Sequence, residues 1–135
     1  MQSTAIVLDT NFLLSCLNFQ VDILSELERI VPELHRLVVP YEVIEELEKL
    51  ERAQKALAPR VSLANDFIKK HCEVIRLNRA GNRSTIRVDD VVLALTKKLQ
   101  GTIATNDREL RKKARAIGIS TVFLREQAYL ESDRI

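Results

Sequence analysis

The sequence predicts an α/β fold in which a parallel five-stranded sheet is covered by helices on both faces. Five short runs rich in β-branched residues alternate along the chain with segments of helical periodicity, which is typical of parallel sheets. A length of 135 residues, with 46% hydrophobic and 30% charged residues, fits a single domain over residues 1–135. The predicted strands are 5–8, 36–39, 73–77, 102–105 and 121–124.

Helices are expected between these strands and after them. Gly101 and Gly118 follow two helical segments at the position where glycine commonly ends a helix. The segment 78–88 has little apolar periodicity and is predicted to be a mobile loop, and 126–135 is expected to form a short terminal helix or a tail. The predicted helices are 11–16, 22–31, 41–52, 55–71, 89–100 and 108–116.

Composition and local pattern narrow the class of protein. Asp9 interrupts the first apolar run at once, so the run is neither a signal peptide core nor a membrane span, and we expect a cytoplasmic protein without a membrane partner. Cys16 and Cys72 lack the spacing of a metal site and are expected to be buried, reduced thiols. A net charge of +2 does not by itself indicate a nucleic-acid partner, so the distribution of charge has to carry that argument.

Two aspartates come directly after predicted strands. Asp9 closes the first strand and Asp107 closes the fourth. In an open parallel sheet, ligands bind beyond the carboxyl ends of the strands, where the winding direction reverses. If the first and fourth strands are neighbours, the two carboxylates converge at that edge.

Two further acids are expected from helices. Helical periodicity places Glu46 beside the apolar stripe of its helix and Glu45 away from it, and it places Asp89 closer to its stripe than Asp90. Each acid also has an ordinary interpretation, because Asp89 and Asp107 suit helix starts and Glu46 suits a solvated helix surface. The joint placement of Asp9, Glu46, Asp89 and Asp107 at one sheet edge favours a functional site.

Such a cluster predicts a divalent cation. Two carboxylates about 5 Å apart repel by roughly 3 kcal/mol at an effective dielectric near 20, and a cation removes that cost. An all-oxygen set suits Mg²⁺ or Mn²⁺, whereas the chain offers no His or Cys cluster for zinc. The cation can activate water and stabilise charge on a phosphate.

Basic residues near the same edge suggest a nucleic-acid substrate, although a solvated helix face is the ordinary alternative. Tyr41, Phe19 and Phe12 offer stacking surfaces, but with 4% aromatic residues a place in the core is favoured. The residues expected to contact phosphates are Arg79, Arg83 and Arg87 in the loop, and Arg108, Arg111, Lys112 and Arg115 on one helix face.

Four motifs together resemble the PIN-domain ribonucleases: VLDTNF at 7–12, VIEELEKL at 43–50, VDD at 88–90 and ATNDREL at 104–110. The resemblance spans nearly the whole chain and is greatest to archaeal PIN proteins and to the nucleases of small-subunit ribosomal RNA processing. It implies a three-layer α/β/α sandwich with a central parallel five-stranded sheet. It also implies a metal-dependent endoribonuclease that cleaves single-stranded or loop RNA, and a homodimer.

The resemblance also implies roles for individual residues. Asp9, Glu46, Asp89 and Asp107 would be the catalytic acids that bind the metal, and Asp90 is the alternative to Asp89 at the third position. The supporting polar groups would be Thr10, Asn11, Thr105 and Asn106.

Several other functions are alternatives to an endoribonuclease. A toxin held by an antitoxin, or a non-catalytic RNA-binding or ribosome-assembly factor, would share the fold, although retention of all four acids argues against an inactive protein. A response-regulator receiver needs an aspartate after the third strand, where the chain has Asn78. A haloacid-type phosphatase needs a second aspartate at the position of Asn11.

Overall fold

The computed structural model describes residues 3–77 and 87–133. Six strands form one sheet in the order β3-β2-β1-β4-β5-β6, and every pair is parallel except β5 with β6. The predicted α/β class is confirmed, and so is the adjacency of the first and fourth strands. The strands are β1 (Thr4–Leu8), β2 (His35–Pro40), β3 (Cys72–Ile75), β4 (Thr102–Ala104), β5 (Thr121–Arg125) and β6 (Tyr129–Asp133).

In the described residues, six α-helices connect the strands and agree with the predicted segments to within a few residues. A 3₁₀ turn at Lys55–Leu57 precedes the fourth helix, whose first turn accommodates Pro59 because an amide is not needed there. The helices are α1 (Thr10–Asn18), α2 (Ile23–Ile30), α3 (Tyr41–Ala53), α4 (Ala58–His71), α5 (Val88–Leu99) and α6 (Arg108–Ala116). Most of the predicted loop 78–88, including Arg79 and Arg83, lies outside the described residues.

The helices form two layers because β1 and its neighbours alternate between the faces of the sheet. Ile6 and Leu8 pack in one core with residues of α1, α2, α3 and α4, whereas Ala5 and Val7 pack in a second core with α5 and α6. The arrangement is the expected three-layer α/β/α sandwich. No helix in the described part of the chain is long and apolar enough to cross a membrane.

The sixth strand corrects the prediction of a helix or tail at the C-terminal end. β6 pairs antiparallel with β5, with Leu130 opposite Leu124 and buried in the first core. Its outer edge is held by α2, since Glu26 Oε1 accepts from the Leu130 amide at 2.9 Å and Arg29 Nη2 donates to the Leu130 carbonyl at 2.7 Å. These bonds satisfy an edge that would otherwise expose unpaired backbone groups.

The two glycines predicted to end helices differ in their roles. Gly118 has φ of +79° just after α6, as expected of a helix-terminating glycine. After α5 the left-handed residue is Gln100, with φ of 53°, so the prediction for Gly101 is wrong in detail. Gly101 instead lies against the Ala5 backbone, where a Cβ would collide with the Ala5 carbonyl oxygen.

Candidate active site

The winding direction of the sheet reverses between β1 and β4, and Asp9 and Asp107 lie just beyond their carboxyl ends. The backbone hydrogen bonds between β1 and β4 continue into this site, because the Asp9 amide donates to the Ala104 carbonyl at 3.0 Å. The Thr105 amide is held in turn by the Val122 carbonyl of β5 at 2.9 Å. The backbone that carries these side chains is therefore part of the sheet rather than a free loop.

Asp9 is buried at the start of α1, with 4% of its surface exposed. Its Oδ1 accepts from the Thr10 amide at 2.9 Å, which caps the helix, and its Oδ2 accepts from Thr105 Oγ at 2.8 Å. Thr105 Oγ also accepts from the Asp107 amide at 3.1 Å. The fully buried Thr105 hydroxyl therefore connects the two strand-end aspartates.

Asp107 caps α6 from its less buried position. Its Oδ1 accepts from the Glu109 amide at 2.8 Å and the Leu110 amide at 3.3 Å. The helix-start interpretation is thus correct for Asp107, and Asp89 lies in the first turn of α5 without being its cap. Helix capping is compatible with a functional site here, because a helix N-terminus also favours negative charge at this edge.

The two helix acids lie where periodicity predicted. Glu46 and Asp89 are half-buried, whereas Glu45 and Asp90 are exposed. Arg87 precedes Asp89 and is exposed, and its guanidinium lies 3.8 Å from Asp89 Oδ2. Of the two adjacent aspartates, Asp89 is therefore the more buried.

Electrostatic coupling links the four acids in a chain. Burial raises the pKa of Asp9 to about 6, and the charges of Asp89 and Glu46 add to the rise, while the hydrogen bond from Thr105 opposes it. Burial and the charge of Asp107 raise the pKa of Asp89, and Arg87 and Lys113 lower it. When these carboxylates are ionised, the neighbouring hydrogen bonds and positive charges therefore do not fully offset their burial and mutual repulsion.

The donor chemistry at this edge fits a hard divalent cation, and one buried polar atom is left over. Thr10 is 2% exposed, and its Oγ has no hydrogen-bond partner among the described residues, although it adjoins Asp9. Within 3–77 and 87–133, no group of three or more His, Cys, Asp or Glu side chains stands close enough to hold a metal ion.

The four predicted basic residues of α6 line one cleft of about 160 Å³: Arg108, Arg111, Lys112 and Arg115. Leu110 and Ala114 of the opposite face are buried, whereas Ile117 is exposed and Ile119 packs in the second core. The helix therefore presents a continuous basic surface that starts next to Asp107.

Arg111 has structural contacts that the sequence pattern did not reveal. Its guanidinium lies 3.6 Å from the centre of the Phe123 ring and 3.9 Å from Asp133 Oδ2, which also pairs with Arg115 at 3.2 Å. Burial lowers the pKa of Arg111. Arg111 and Arg115 are thus fixed by β5 and β6, whereas Lys112 pairs with Glu109 at 4.0 Å on the helix surface and has 76% of its side chain exposed.

Two further features were missed or misplaced from the sequence. Lys113 was not singled out, because only the tertiary structure brings this residue of α6 near Asp89 of α5. Among the aromatic candidates, Phe12 is in the core as expected, but Phe19 is 39% exposed, which contradicts the core assignment. Tyr41 is half-buried beneath the Arg76 guanidinium, which lies 3.6 Å from its ring centre.

The fold and this sheet edge place the chain in a known class. A family model described as a PIN-like domain matches residues 6–127. The chain belongs to the PIN-like domain family, which confirms the resemblance seen in the sequence.

Two curated archaeal proteins are similar in sequence. Ribonuclease VapC9 of Archaeoglobus fulgidus is 30% identical over 123 residues, which cover 89% of this chain and 82% of that protein. Ribonuclease VapC4 of Methanocaldococcus jannaschii is 27% identical over 127 residues, covering 93% and 94% of the two chains.

Solved structures share the fold. The PIN domain endonuclease Utp24 matches with a TM-score of 0.77 at 23% identity, over 97% of this chain and 92% of its own. A domain of a functionally unknown protein from Methanocaldococcus jannaschii matches with a TM-score of 0.65 at 16% identity, over 91% and 92%.

Proposed function

We propose that the protein is a metal-dependent endoribonuclease that cleaves single-stranded or loop RNA at the Asp9 edge of the sheet. The observation that carries the proposal is the buried Asp9 carboxylate at the switch point, whose pKa is raised to about 6 by burial and by neighbouring acids. Perturbed acids at such a crevice are typical of catalytic centres. The names of the relatives, ribonucleases VapC9 and VapC4, support RNA as the substrate.

The residues that would hold Mg²⁺ or Mn²⁺ are the linked acids Asp9, Glu46, Asp89 and Asp107, with exposed Asp90 as the alternative to Asp89. When bound, the ion supplies an activated water and neutralises charge on the phosphate. The orphaned Thr10 hydroxyl and the exposed Asn11 lie beside Asp9 and provide further oxygen donors.

The chain's own residues bind and orient the substrate. Thr105 fixes the Asp9 carboxylate, so that one face of it stays directed to the crevice. The basic cleft on α6 binds backbone phosphates, and Lys113 and Arg87 offset the charge of Asp89, which lowers repulsion of an approaching phosphate. Cleavage within a strand suits an open crevice that does not require a chain end.

The first prediction concerns the metal. Purified protein with Mg²⁺ or Mn²⁺ is expected to cut a fluorescent hairpin RNA within its loop, and EDTA is expected to abolish cleavage. Asp89→Asn should lose most of the activity, whereas Asp90→Asn, the matched control, should retain most of it. Undiminished cutting in EDTA contradicts the metal requirement, and no cutting with any metal favours a non-catalytic RNA-binding or assembly factor.

The second prediction concerns the basic cleft. Lys112→Glu is expected to weaken binding of single-stranded RNA and to reduce the slope of log K against log salt by about 1 to 2, because a lost phosphate contact no longer releases its counterion. Melting temperature should be unchanged, since the side chain is exposed. Lys98→Glu is the control, because it makes the same change in net charge in the last turn of α5, at the end away from Asp89. If it weakens RNA binding as much as Lys112→Glu does, only net charge matters.

The proposal includes a homodimer. β3 is an edge strand of the sheet, and its Val74 is 44% exposed, which suits contact with another chain. Sedimentation at tens of micromolar should give twice the chain mass, and Val74→Lys should reduce it to the monomer. A wild-type monomer at that concentration would end the dimer proposal.

This chemistry fits two biological roles: processing of ribosomal RNA, and action as a toxin controlled by an antitoxin. Both require the same cleavage and differ in the RNA that is cut and in the protein partner. Incubation with ribosomal RNA precursors and with mature transfer RNA separates them, since a processing enzyme should cut the precursor at one site and leave the mature RNA intact.

A further inference from the structure

We propose that an open cleft on the β5 side of the acid centre binds a nucleobase of the RNA strand, an inference that rests on the proposed ribonuclease function. The cleft has a volume of about 480 Å³, which is ample for one base. Its lining residues are Ser15, Phe19, Asn106, Leu124, Glu126 and Gln127.

The location connects the cleft to the acids. Asn106 directly precedes Asp107, and Ser15 lies on α1, the helix that Asp9 caps. The basic cleft begins two residues after Asn106, at Arg108. A strand whose phosphates lie on α6 can therefore direct a neighbouring base into this cleft without leaving the crevice.

The lining chemistry suits a base rather than a phosphate. None of its residues in the described part of the chain is Lys or Arg, and Glu126 would repel an anion. Phe19 is 39% exposed and offers a ring on which a base can stack. Asn106 Oδ1 accepts from the Leu124 amide at 2.8 Å, which leaves its NH₂ group as a donor to acceptors on a base edge.

Backbone conformation gives a second, independent observation. Glu126 and Gln127 have φ of 54° and 56° in the tight turn between β5 and β6, where Asn-Gly is the sequence that such a turn prefers. Side chains kept at unfavourable backbone positions often serve a ligand, and Glu126 and Gln127 both line this cleft.

The first part of the test uses uncharged probes. Titration of the four nucleosides at millimolar concentration, in EDTA, is expected to shift the side-chain amide resonances of Asn106 and Gln127 and the ring resonances of Phe19. Nucleosides carry no phosphate, so this binding depends neither on the basic cleft nor on cleavage. Unmoved resonances with all four nucleosides would overturn the inference and leave the cleft to a protein partner.

The second part compares variants in RNA cleavage. Phe19→Leu keeps apolar volume but removes the ring, and it is expected to raise KM on the order of tenfold with little change in kcat, because stacking contributes to binding. Phe19→Trp should restore KM. An unchanged KM in Phe19→Leu, with normal cleavage, overturns the inference without touching the ribonuclease proposal. If nucleosides bind but the protein cuts no RNA, the ribonuclease proposal fails while the base-binding cleft remains.

The turn provides a variant that separates binding from stability. The double change Glu126→Asn with Gln127→Gly installs the preferred turn sequence, so it should raise the melting temperature and also raise KM. Gln100→Gly relieves the same kind of strain after α5, outside the cleft, and should raise the melting temperature alone. Equal KM values for both variants and the wild type contradict a role for the turn side chains.

Discussion

Asp9→Asn is expected to raise the melting temperature of the metal-free protein while lowering RNA cleavage by about a hundredfold or more. Asparagine keeps the shape of the side chain and can still cap α1. It removes the charge that burial, Asp89 and Glu46 make unfavourable in the folded protein. Under the proposed mechanism the substitution also removes a metal ligand, so stability and activity are expected to move in opposite directions.

The size of the stability gain depends on pH in a defined way. The pKa of Asp9 rises from 3.8 in the unfolded chain to about 6 in the folded protein, so its contribution to stability is fully present below about pH 4 and is lost as pH rises through 6. Because a shift of one pKa unit corresponds to 1.36 kcal/mol, the free energy of unfolding of the wild type falls by roughly 2–3 kcal/mol across that window. The advantage of Asp9→Asn should therefore be small at pH 4 and reach about 8–12 °C at pH 8.

Asp22→Asn is the matched control for this prediction. Asp22 also caps a helix, but it is exposed, and its hydrogen bonds from the Ser25 amide and hydroxyl lower its pKa. Its contribution is present above the unfolded pKa and is lost in acid, so the same substitution there should lower the melting temperature at pH 8. If Asp9→Asn melts below the wild type in EDTA and cuts RNA normally, Asp9 is only a capping residue.

Gly101→Ala is expected to destabilise the protein by about 1–3 kcal/mol, or roughly 4–12 °C in melting temperature. The added Cβ would collide with the Ala5 carbonyl oxygen, which belongs to the central strand and has no room to move. Because β1 carries Asp9 at its end, displacement of the strand should also lower cleavage. Thermal and urea melting would measure the first effect.

Gly118→Ala separates this clash from ordinary glycine strain. Gly118 has φ of +79°, but a Cβ there would meet nothing within 4 Å. Its replacement should cost about 1 kcal/mol through backbone strain alone, with cleavage unchanged. Should Gly101→Ala prove no more destabilising than Gly118→Ala, the close contact between β4 and β1 is not a constraint on the fold.

The parts of the site that depend on local pattern were predictable from the sequence. Strand ends carry Asp9 and Asp107, and helical periodicity distinguishes Glu46 from Glu45 and Asp89 from Asp90, because burial of an apolar stripe fixes which face turns inward. The adjacency of β1 and β4 required only the common rules for parallel sheets. These features follow from short-range periodicity plus topology.

The parts that depend on distant contacts were not predictable. β6 has a hairpin turn of Glu126 and Gln127 instead of a recognisable Asn-Gly signal, and its outer edge is held by α2, about a hundred residues earlier in the chain. Similarly, Asp133 of that strand pairs with Arg115 of α6, and Lys113 reaches the surroundings of Asp89 only through packing. No local pattern encodes such pairs.

One carboxylate centre at the β1–β4 edge is proposed to bind the metal and to support RNA cleavage. The most direct measurement is a Mg²⁺ titration followed by carboxyl ¹³C resonances, with RNA cleavage recorded over the same concentrations. We predict that the resonances of Asp9, Glu46, Asp89 and Asp107 shift together, that those of Asp22 and Asp66 stay in place, and that cleavage rises in parallel. Cleavage that saturates while these four resonances remain unmoved would contradict the account.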